Sequence, residues 1–346
     1  VAEIDFGMAA GMTWEEARKI SLLKNRTSDY PLAVSGVRVF GVLEGTINAL
    51  NDAIEISPEP GRQFTEEIDR RLAISPIKDV YIYVHGYKVD FENPVLVASE
   101  LWHFLGYKGV FIAYSWPTKA SLWTYLSDVD SAINTARSLR TLLLHVARHT
   151  DVERIHVIGY SMGTRAVSRM LADLGMFGYF LSAEEIEEKA KLGNVFLIGS
   201  DLDRSILSGY LQDGSLRIPD SLTIYVSSVD EALGSSKRLF GRARAGQVGD
   251  DVLGPRSRKY FEDHPQLRII DVTDAEGSTA GNGHHYFRTS PWVSSDILMT
   301  LMYDLSPDNR GLVLREDLPV WTFPADYIAR LREAIGKANP VLGEPE

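Results

Sequence analysis

Short, nearly continuous apolar segments alternate with helical segments over most of this chain, and no other feature limits its fold as strongly. These segments are rich in β-branched and aromatic residues and stand at Val80–His85, Gly109–Ser115, Arg154–Ile158, Asn194–Gly199, Leu222–Ser227 and Leu267–Val272. Strands that are apolar on both faces belong inside parallel sheets with helices on either side. The sequence therefore predicts an α/β protein with a mostly parallel central sheet, flanked by helices on both faces.

Helices are predicted between these strands. The segment from Asp128 to Arg148 reads as one long helix, because its apolar residues recur every three or four positions and line one face. Another helix is predicted from Asn93 to about Leu105, with Pro94 in the first turn, where proline is tolerated. The pattern is less regular near the N-terminus. The predictions there are a helix at Thr13–Leu23, a strand at Val37–Leu43, a turn at Pro58–Gly61 and a helix at Phe64–Leu72.

The composition excludes several classes of protein. The chain has 346 residues, 45% of them hydrophobic, which is enough for one large buried core. It contains no cysteine, so disulfides, thiolate catalysis, zinc-thiolate sites and iron-sulfur clusters are excluded. The formal net charge of -11 argues against general nucleic-acid binding, which requires a basic surface. Glycine-rich nucleotide-binding motifs and the zinc-protease motif are also missing from the sequence.

The hydropathy of the sequence indicates whether the chain crosses a membrane. No apolar run approaches the ~20 residues that a membrane-spanning helix requires. We therefore expect a soluble protein, either cytoplasmic or exported after removal of a leader, and the sequence leaves its oligomeric state open. Peripheral contact with a membrane surface is compatible with this expectation.

A G-x-S-x-G motif stands directly after the predicted strand at Arg154–Ile158 and consists of Gly159-Tyr160-Ser161-Met162-Gly163. A predicted helix follows, so the order is strand, sharp turn, helix. In this order the serine lies at the tip of a strained turn and its hydroxyl projects from the sheet. Gly159 and Gly163 lack a Cβ atom and let the strand and the helix approach each other. The motif predicts Ser161 as a nucleophile.

A second motif, Tyr83-Val84-His85-Gly86-Tyr87, ends an earlier strand. When a serine of this kind attacks a carbonyl, two backbone N–H groups stabilise the oxyanion that forms. One belongs to the residue after the serine, here Met162. The other is expected from Tyr87, with Gly86 letting the backbone close on the substrate. Because a His-Gly dipeptide typically shapes this loop, we interpret His85 as a supporting residue and not as a base.

A serine nucleophile also needs an imidazole as its base. The histidines that follow Ser161 in the sequence are His264, His284 and His285. His264 precedes the last predicted strand and would lie at the wrong end of the sheet. His284 and His285 lie in a glycine-rich loop after that strand, where the base is expected, and both remain candidates on this reasoning.

A carboxylate must orient that imidazole. Asp230 lies just after the predicted strand at Leu222–Ser227, which precedes the histidine strand, and is the favoured acid. Asp201 ends the strand before that one and is the alternative, because related folds supply the acid from either strand. Asp203, two residues further on, is less favoured.

Several longer segments follow one another along the chain: VHGY (84–87), SWP (115–117), GYSMGTR (159–165), SDLD (200–203), YVSSVDEAL (225–233), RARAG (242–246) and GHHYF (283–287). In this order they resemble a bacterial branch of the α/β hydrolases that is labelled only as a domain of unknown function. The resemblance covers about residues 80–295, and it implies the α/β-hydrolase fold and esterase or lipase-like activity. It also implies Ser161 as nucleophile, Asp230 as acid and His284 as base. His285 departs from the family, where a small residue commonly follows the base, and the N-terminal third matches poorly.

The chain divides into three predicted parts. Residues 76–305 would form the α/β-hydrolase catalytic core, residues 1–75 an N-terminal extension packed on it, and residues 306–346 a C-terminal loop and helix. The core would contain an insertion at about residues 234–265 that is rich in Lys and Arg. We interpret this basic insertion as a solvated helix and loop. The alternative is a rim of the site that meets an acidic substrate, a phospholipid headgroup or a membrane surface.

The favoured function is hydrolysis of a carboxylic ester, with a small-molecule ester or a lipid as substrate and with no metal or cofactor. The same residues would serve an acyltransferase, a thioesterase or an amidase, and the sequence does not separate these. A non-catalytic binding protein on an inherited fold is a further alternative, against which the full set of site residues argues. Aromatic residues near strand ends are candidates for an acyl pocket or for core packing; they are Trp102, Tyr114, Trp116 and Trp123.

Overall fold

A parallel sheet forms the centre of the protein. The computed structural model describes residues 1–8, 32–43, 58–87, 89, 92–118, 125–247, 255–316 and 318–339. Its strands are β1 (Ala2–Met8), β2 (Leu32–Val39), β3 (Asp79–Val84), β4 (Val110–Tyr114), β5 (Arg154–Tyr160), β6 (Leu192–Ile198), β7 (Ser221–Val226), β8 (Leu267–Asp271), β9 (Val313–Leu314) and β10 (Trp321–Thr322). Within the described ranges, β3 to β10 form one sheet in the order β4-β3-β5-β6-β7-β8-β10-β9, and β1 pairs with β2 in a separate hairpin. All neighbours in the large sheet are parallel except β9 and β10. The predicted α/β class and mostly parallel sheet are confirmed.

Helices cover both faces of this sheet. They are α1 (Pro58–Ile74), α2 (Glu92–Phe104), α3 (Tyr125–Asn134), α4 (Ala136–His149), α5 (Gly163–Phe177), α6 (Ala183–Ala190), α7 (Arg204–Gln212), α8 (Glu231–Phe240), α9 (Pro255–Asp263), α10 (Tyr286–Thr289), α11 (Pro291–Tyr303) and α12 (Tyr327–Ala338). None of the helices in the described part of the chain has the length and apolar character needed to cross a bilayer.

The two faces of the sheet bury separate cores, as the alternation of side chains along a strand requires. Val80, Ile82 and Val84 of β3 pack into a core that includes apolar side chains of α1, α4 and α5. Tyr81 and Tyr83, between them, pack into the core on the other face, with side chains of α2, α11 and α12. The central strands β6 and β7 are buried along their whole length, which explains their continuous apolar sequence.

The predicted turn at Pro58–Gly61 is wrong, because α1 begins at Pro58 and includes these residues. Proline is compatible with the first turn of a helix, where the N–H groups have no partner within the helix. The predicted helix at Asp128–Arg148 is divided at Thr135 into α3 and α4. The Thr135 amide still donates to Ser131 and its carbonyl still accepts from Leu139, so helical hydrogen bonding continues across the division.

Strand predictions near the two ends also need correction. The N-terminal strand lies at Leu32–Val39 instead of Val37–Leu43, and it pairs with β1, which the sequence analysis did not identify. The helix predicted at Thr13–Leu23 lies outside the described residues. The segment 306–346 contributes more than a loop and a helix. Its β10 adds to the main sheet beside β8, and β9 pairs with β10. These strands were not predicted because two residues are too few to produce a periodic pattern.

Candidate active site

The segment after β5 makes a sharp turn at Ser161. This residue has φ of 51°, a left-handed value that is uncommon for a residue with a side chain. The Ser161 N–H donates to the carbonyl of Ile198 at 2.8 Å, which ties the turn to the end of β6. Added Cβ atoms at Gly86 and Gly163 would collide with Ser161 Cβ and with the backbone of His85, respectively. The turn therefore depends on close backbone approach at both glycines, and it leads directly into α5.

Three of the predicted site residues form one hydrogen-bonded chain. His284 Nε2 lies 2.8 Å from Ser161 Oγ, and His284 Nδ1 lies 2.6 Å from Asp230 Oδ2. Asp230 is buried, caps the N-terminus of α8 and accepts the Leu233 N–H on Oδ1 at 3.0 Å. An ionised carboxylate only accepts hydrogen bonds, so His284 Nδ1 carries the proton and Nε2 is left to accept one from the serine hydroxyl.

Gly283 lets the histidine loop approach the aspartate loop. It has φ of 67°, and a Cβ atom there would lie 2.5 Å from the carbonyl oxygen of Val229. Asn282 accepts the Glu231 N–H through its carbonyl at 3.1 Å, which joins the same two loops. His284 thus reaches Asp230 because the backbone before it can lie against the backbone before the acid.

Tyr286, two residues after His284, anchors the histidine loop to the ends of neighbouring strands. It was not among the residues predicted for the site. Its hydroxyl accepts the Gly199 N–H at 2.6 Å and donates to the carbonyl of Tyr225 at 3.1 Å. The side chain is fully buried, and burial raises the pKa of its hydroxyl well above the usual value. Tyr286 therefore stays neutral and links the ends of β6 and β7. The only signal in the sequence is its place two residues after His284.

The alternative base and acid lie outside the hydrogen-bonded chain. His285 is exposed, and its Nδ1 lies 2.8 Å from the hydroxyl of Tyr160. Asp201 is buried, and Arg165 Nε donates to its Oδ2 at 3.1 Å. Asp203 caps α7 by accepting the N–H of the second residue of that helix.

His85 occupies a closed environment. Trp116 N–H donates to its Nε2 at 3.1 Å, and its Nδ1 lies 2.7 Å from the carbonyl oxygen of Gly86. The imidazole stacks on the Trp116 ring with centroids 5.1 Å apart, and Trp116 Nε1 donates to the His85 carbonyl at 2.8 Å. Burial lowers the pKa of His85 to about 4, so the ring is neutral near pH 7. Nδ1 is thus engaged with the loop that precedes Tyr87, and Nε2 is engaged with the backbone of Trp116, after β4.

The two expected oxyanion donors belong to the elements beside Ser161. Met162 is the N-cap residue of α5, so its N–H lies at the positive end of the helix. Tyr87 follows β3, and its ring packs edge-on against the ring of Tyr125, with centroids 5.2 Å apart. Within the described residues, no cluster of three or more His, Asp or Glu side chains has the arrangement of a metal site.

A cavity of about 840 Å³ lies apart from this chain of hydrogen bonds. It is bounded by the β1–β2 hairpin, α1, α2 and the edge strand β4, and Trp102 and Tyr114 line it. Trp116, by contrast, is buried against His85. Of the aromatic residues considered for an acyl pocket, Trp123 lies outside the described residues.

The basic insertion is not uniformly solvated. Lys237, Arg242 and Lys259 are exposed, but Arg244 is among the most buried side chains of the protein. Its Nη1 donates to the carbonyl of Asp201 at 3.2 Å. The insertion therefore contributes a cation to the interior beside the end of β6.

No curated protein matches the chain in sequence. Among solved structures, an inhibited esterase B from Lactobacillus rhamnosis is 13% identical, covers 65% of this chain and 75% of its own, and has a TM-score of 0.38. A protein described as a cell surface hydrolase from Lactobacillus plantarum WCFS1 is 14% identical and has a TM-score of 0.35. The match covers 68% of this chain and 95% of that protein. These values are too low for any argument about activity.

The sequence model of one family, described as "Alpha/beta hydrolase of unknown function (DUF900)", matches residues 61–301. This span includes β3 to β8, the turn at Ser161 and both loops that hold Asp230 and His284. The resemblance drawn from the sequence segments and the predicted α/β-hydrolase fold are thereby confirmed. The chain belongs to this family of alpha/beta hydrolases.

Proposed function

We propose that this protein is a serine hydrolase that cleaves carboxylic esters through an acyl-enzyme on Ser161. One observation carries the proposal: a continuous chain of hydrogen bonds runs from Asp230 through His284 to Ser161 at the tip of a strained turn. An activated serine with an oriented imidazole is the arrangement that acyl transfer to and from a hydroxyl requires.

In the acylation step, Ser161 Oγ attacks the ester carbonyl while its proton moves to His284 Nε2. Asp230 stabilises the imidazolium that results, because its carboxylate already accepts from Nδ1. The N–H groups of Met162 and Tyr87 stabilise the negative charge on the former carbonyl oxygen. The C–O bond to the alcohol then breaks, and the alcohol leaves with the proton from Nε2.

Water completes the cycle by the same route. His284 Nε2 takes a proton from water as the oxygen attacks the acyl carbon, and the bond to Ser161 Oγ breaks. The serine recovers its proton from Nε2, and a carboxylic acid is released. His284 thus serves as base and then as acid in each half-reaction, and no other titrating group is required.

The test is hydrolysis of p-nitrophenyl esters from acetate to palmitate by the wild type, Ser161→Ala, His284→Ala and His285→Ala. We expect the first two substitutions to lower kcat by roughly 10⁵–10⁶-fold, because removal of either residue disables the whole unit. His285→Ala is the matched control, since it removes the adjacent imidazole, and we expect an effect below about tenfold.

A fluorophosphonate probe, which reacts with activated serines, gives a second readout that does not depend on the acyl group. Labelling of wild-type Ser161 without turnover of any ester would shift the proposal to an acyltransferase, thioesterase or amidase. If neither turnover nor labelling occurs, or if His285→Ala is inactive and His284→Ala is active, the proposal is wrong.

A further inference from the structure

Asp201 is the centre of a buried polar cluster beside the candidate active site. The residue is 3% exposed. Its Oδ2 accepts from the Tyr125 hydroxyl at 2.6 Å and from Arg165 Nε at 3.1 Å, and its Oδ1 accepts from the Ser236 hydroxyl at 2.5 Å. Its backbone carbonyl accepts from Arg165 Nη2 at 2.9 Å and from Arg244 Nη1 at 3.2 Å. The carboxylate and the backbone carbonyl of Asp201 together therefore bind four other side chains.

These partners lie on the elements that hold the hydrogen-bonded chain. Arg165 is in the first turn of α5, the helix that follows Ser161. Ser236 is in α8, the helix that Asp230 caps. The Asp201 carboxylate thus connects the helix after the nucleophile with the helix after the acid, although it touches neither reacting group.

The third partner leads to the loop of the second oxyanion donor. Tyr125 is the first residue of α3, and its hydroxyl also lies 3.1 Å from Ser236 Oγ. Its ring packs edge-on against Tyr87, with centroids 5.2 Å apart. Tyr125 is held at its hydroxyl by Asp201 and presents its ring to Tyr87.

Arg244 belongs to a segment that runs beside the loop of Asp201. The Ala245 N–H donates to the carbonyl of Leu202 at 2.8 Å, and the Gly246 N–H donates to that of Ser200 at 2.9 Å. The carbonyl of Gly246 in turn accepts the Ser227 N–H at 2.9 Å, at the end of β7. The RARAG segment thereby joins the loop after β6 to the loop after β7.

The charges of the cluster make the carboxylate hard to replace. Arg165 and Arg244 are both buried, and the carboxylate of Asp201 lies near both guanidinium groups. Burial lowers the pKa of Arg244, and the charge of Asp201 opposes that change. Without the charge of Asp201, the two buried cations would lose the carboxylate that pairs with both of them, which favours separation of the elements that carry them.

We propose that Asp201 is a positioning residue that fixes α5, α8 and α3 relative to one another and so sets the spacing of Ser161, Asp230 and Tyr87. This inference rests on the proposed function and adds to it a residue outside the hydrogen-bonded chain of Asp230, His284 and Ser161. A misplacement of about 1 Å among reacting groups costs on the order of 100-fold in rate, so a loss of this spacing affects kcat.

The first experiment compares Asp201→Asn with Asp203→Asn. Asp203 is a matched control because it is a buried aspartate two residues further on, in the same loop, and it caps α7 instead of contacting Arg165. We expect Asp201→Asn to lower kcat by about 10–100-fold with KM within about threefold, and to slow fluorophosphonate labelling in proportion. Asp203→Asn should leave both rates close to wild type, since asparagine is also a good N-cap.

The second experiment is a double-mutant cycle. It tests the positioning role even if Asp201→Asn does not fold. Ser236→Ala removes the link to α8, so we expect it to lower kcat by about 3–10-fold in the wild type and not at all in Asp230→Asn. Tyr125→Phe keeps the ring that packs on Tyr87 but removes the hydroxyl through which Asp201 holds it, and its effect should persist in the Asp230→Asn background. A cycle in which Ser236→Ala is equally harmful in both backgrounds contradicts a role through Asp230.

The results separate the two proposals. If the wild type turns over esters and Ser161→Ala does not, but Asp201→Asn keeps wild-type kcat and labelling, only the positioning role is overturned. The same holds if Asp201→Asn and Asp203→Asn lower kcat equally, because the loss is then a general effect of the loop. If wild-type Ser161 neither reacts with the probe nor cleaves any ester, both proposals are overturned.

Discussion

The loops after β6 and β7 each carry a buried aspartate, but they give it different partners. Asp230, after β7, accepts from an imidazole Nδ1 and from one backbone N–H. Asp201, after β6, accepts from two hydroxyls and from Arg165. Both residues are about 3% exposed, so burial does not distinguish them.

The donor decides what each carboxylate can do. The imidazole that Asp230 holds has a second nitrogen facing a hydroxyl, so charge on the ring can change during a reaction. The guanidinium that Asp201 holds stays protonated in proteins and cannot relay a proton. Two aspartates with the same place in the sequence pattern therefore have different partners, and for this reason we propose different roles for them: Asp230 orients the imidazole, and Asp201 fixes the positions of the helices around it.

Histidines repeat this contrast. His284 has one nitrogen on Asp230 and the other on Ser161. His85 also follows a strand, but both of its nitrogens are engaged with the backbone of its own loop and of Trp116. The partners again decide the role, and they come from distant parts of the chain.

Replacement of the two aspartates gives the largest expected difference. We expect Asp230→Asn to lower kcat by about 10⁴-fold, because asparagine favours the wrong imidazole tautomer, whereas Asp201→Asn should cost at most about 100-fold. The measurement is kcat for p-nitrophenyl ester hydrolysis by both variants. Glu231→Gln serves as the control, since it neutralises the exposed carboxylate next to Asp230. If Asp201→Asn shows the larger loss, the two loops have the reverse roles.

The elements that were predicted correctly from the sequence are those that a local pattern defines. The turn at Ser161 was identified because strand, glycines and helix follow one another without interruption. The strands β3 to β8 were identified because each is a short, mostly apolar segment in a regular alternation with helices, and the central strands β6 and β7 are buried along their whole length. Where a pattern was short or ambiguous, as at Pro58 and at the two-residue strands β9 and β10, the predictions did not match the structure.

The choice among candidate partners required information that spacing along the chain does not contain. The sequence pattern alone favoured Asp230 over Asp201 but did not separate His284 from His285. The separation depends on Gly283, whose backbone lies against Val229, and on which face of the loop each imidazole occupies. The roles of Tyr286 and Arg244 were not identified, because each acts on residues more than 40 positions away.

Gly283 tests how closely the histidine loop must approach the loop of Asp230. We expect Gly283→Ala to lower the free energy of unfolding by roughly 3–5 kcal/mol, since a left-handed φ and a contact of 2.5 Å with the Val229 carbonyl both oppose the methyl group. Gly281→Ala is the matched control, because Gly281 has φ of 66° but no atom within 4 Å of the added Cβ. It should cost about 1–2 kcal/mol.

The measurement is urea unfolding of both glycine variants, with kcat for those that stay folded. Equal destabilisation of the two would mean that backbone conformation alone matters and that the contact between the loops contributes nothing. A larger effect at Gly283 would sharpen the contrast with Asp201, whose carboxylate reaches its partners on other elements through side-chain hydrogen bonds.

His85 gives the smallest expected effect and tests the contrast between the two histidines through pH. Burial lowers its pKa in the folded protein to about 4, below the ordinary value of 6.5. Between these values the unfolded chain binds more protons, so the contribution of His85 to stability is present above about pH 6.5 and is lost as the pH falls toward 4. In urea unfolding, the wild type should lose up to about 3 kcal/mol more than His85→Gln between pH 7 and pH 4. His103→Gln, at an exposed histidine, should lose as much as the wild type. Equal losses in the wild type and His85→Gln would mean that His85 takes up a proton as readily in the folded protein as in the unfolded chain, which contradicts its description as a neutral, enclosed ring.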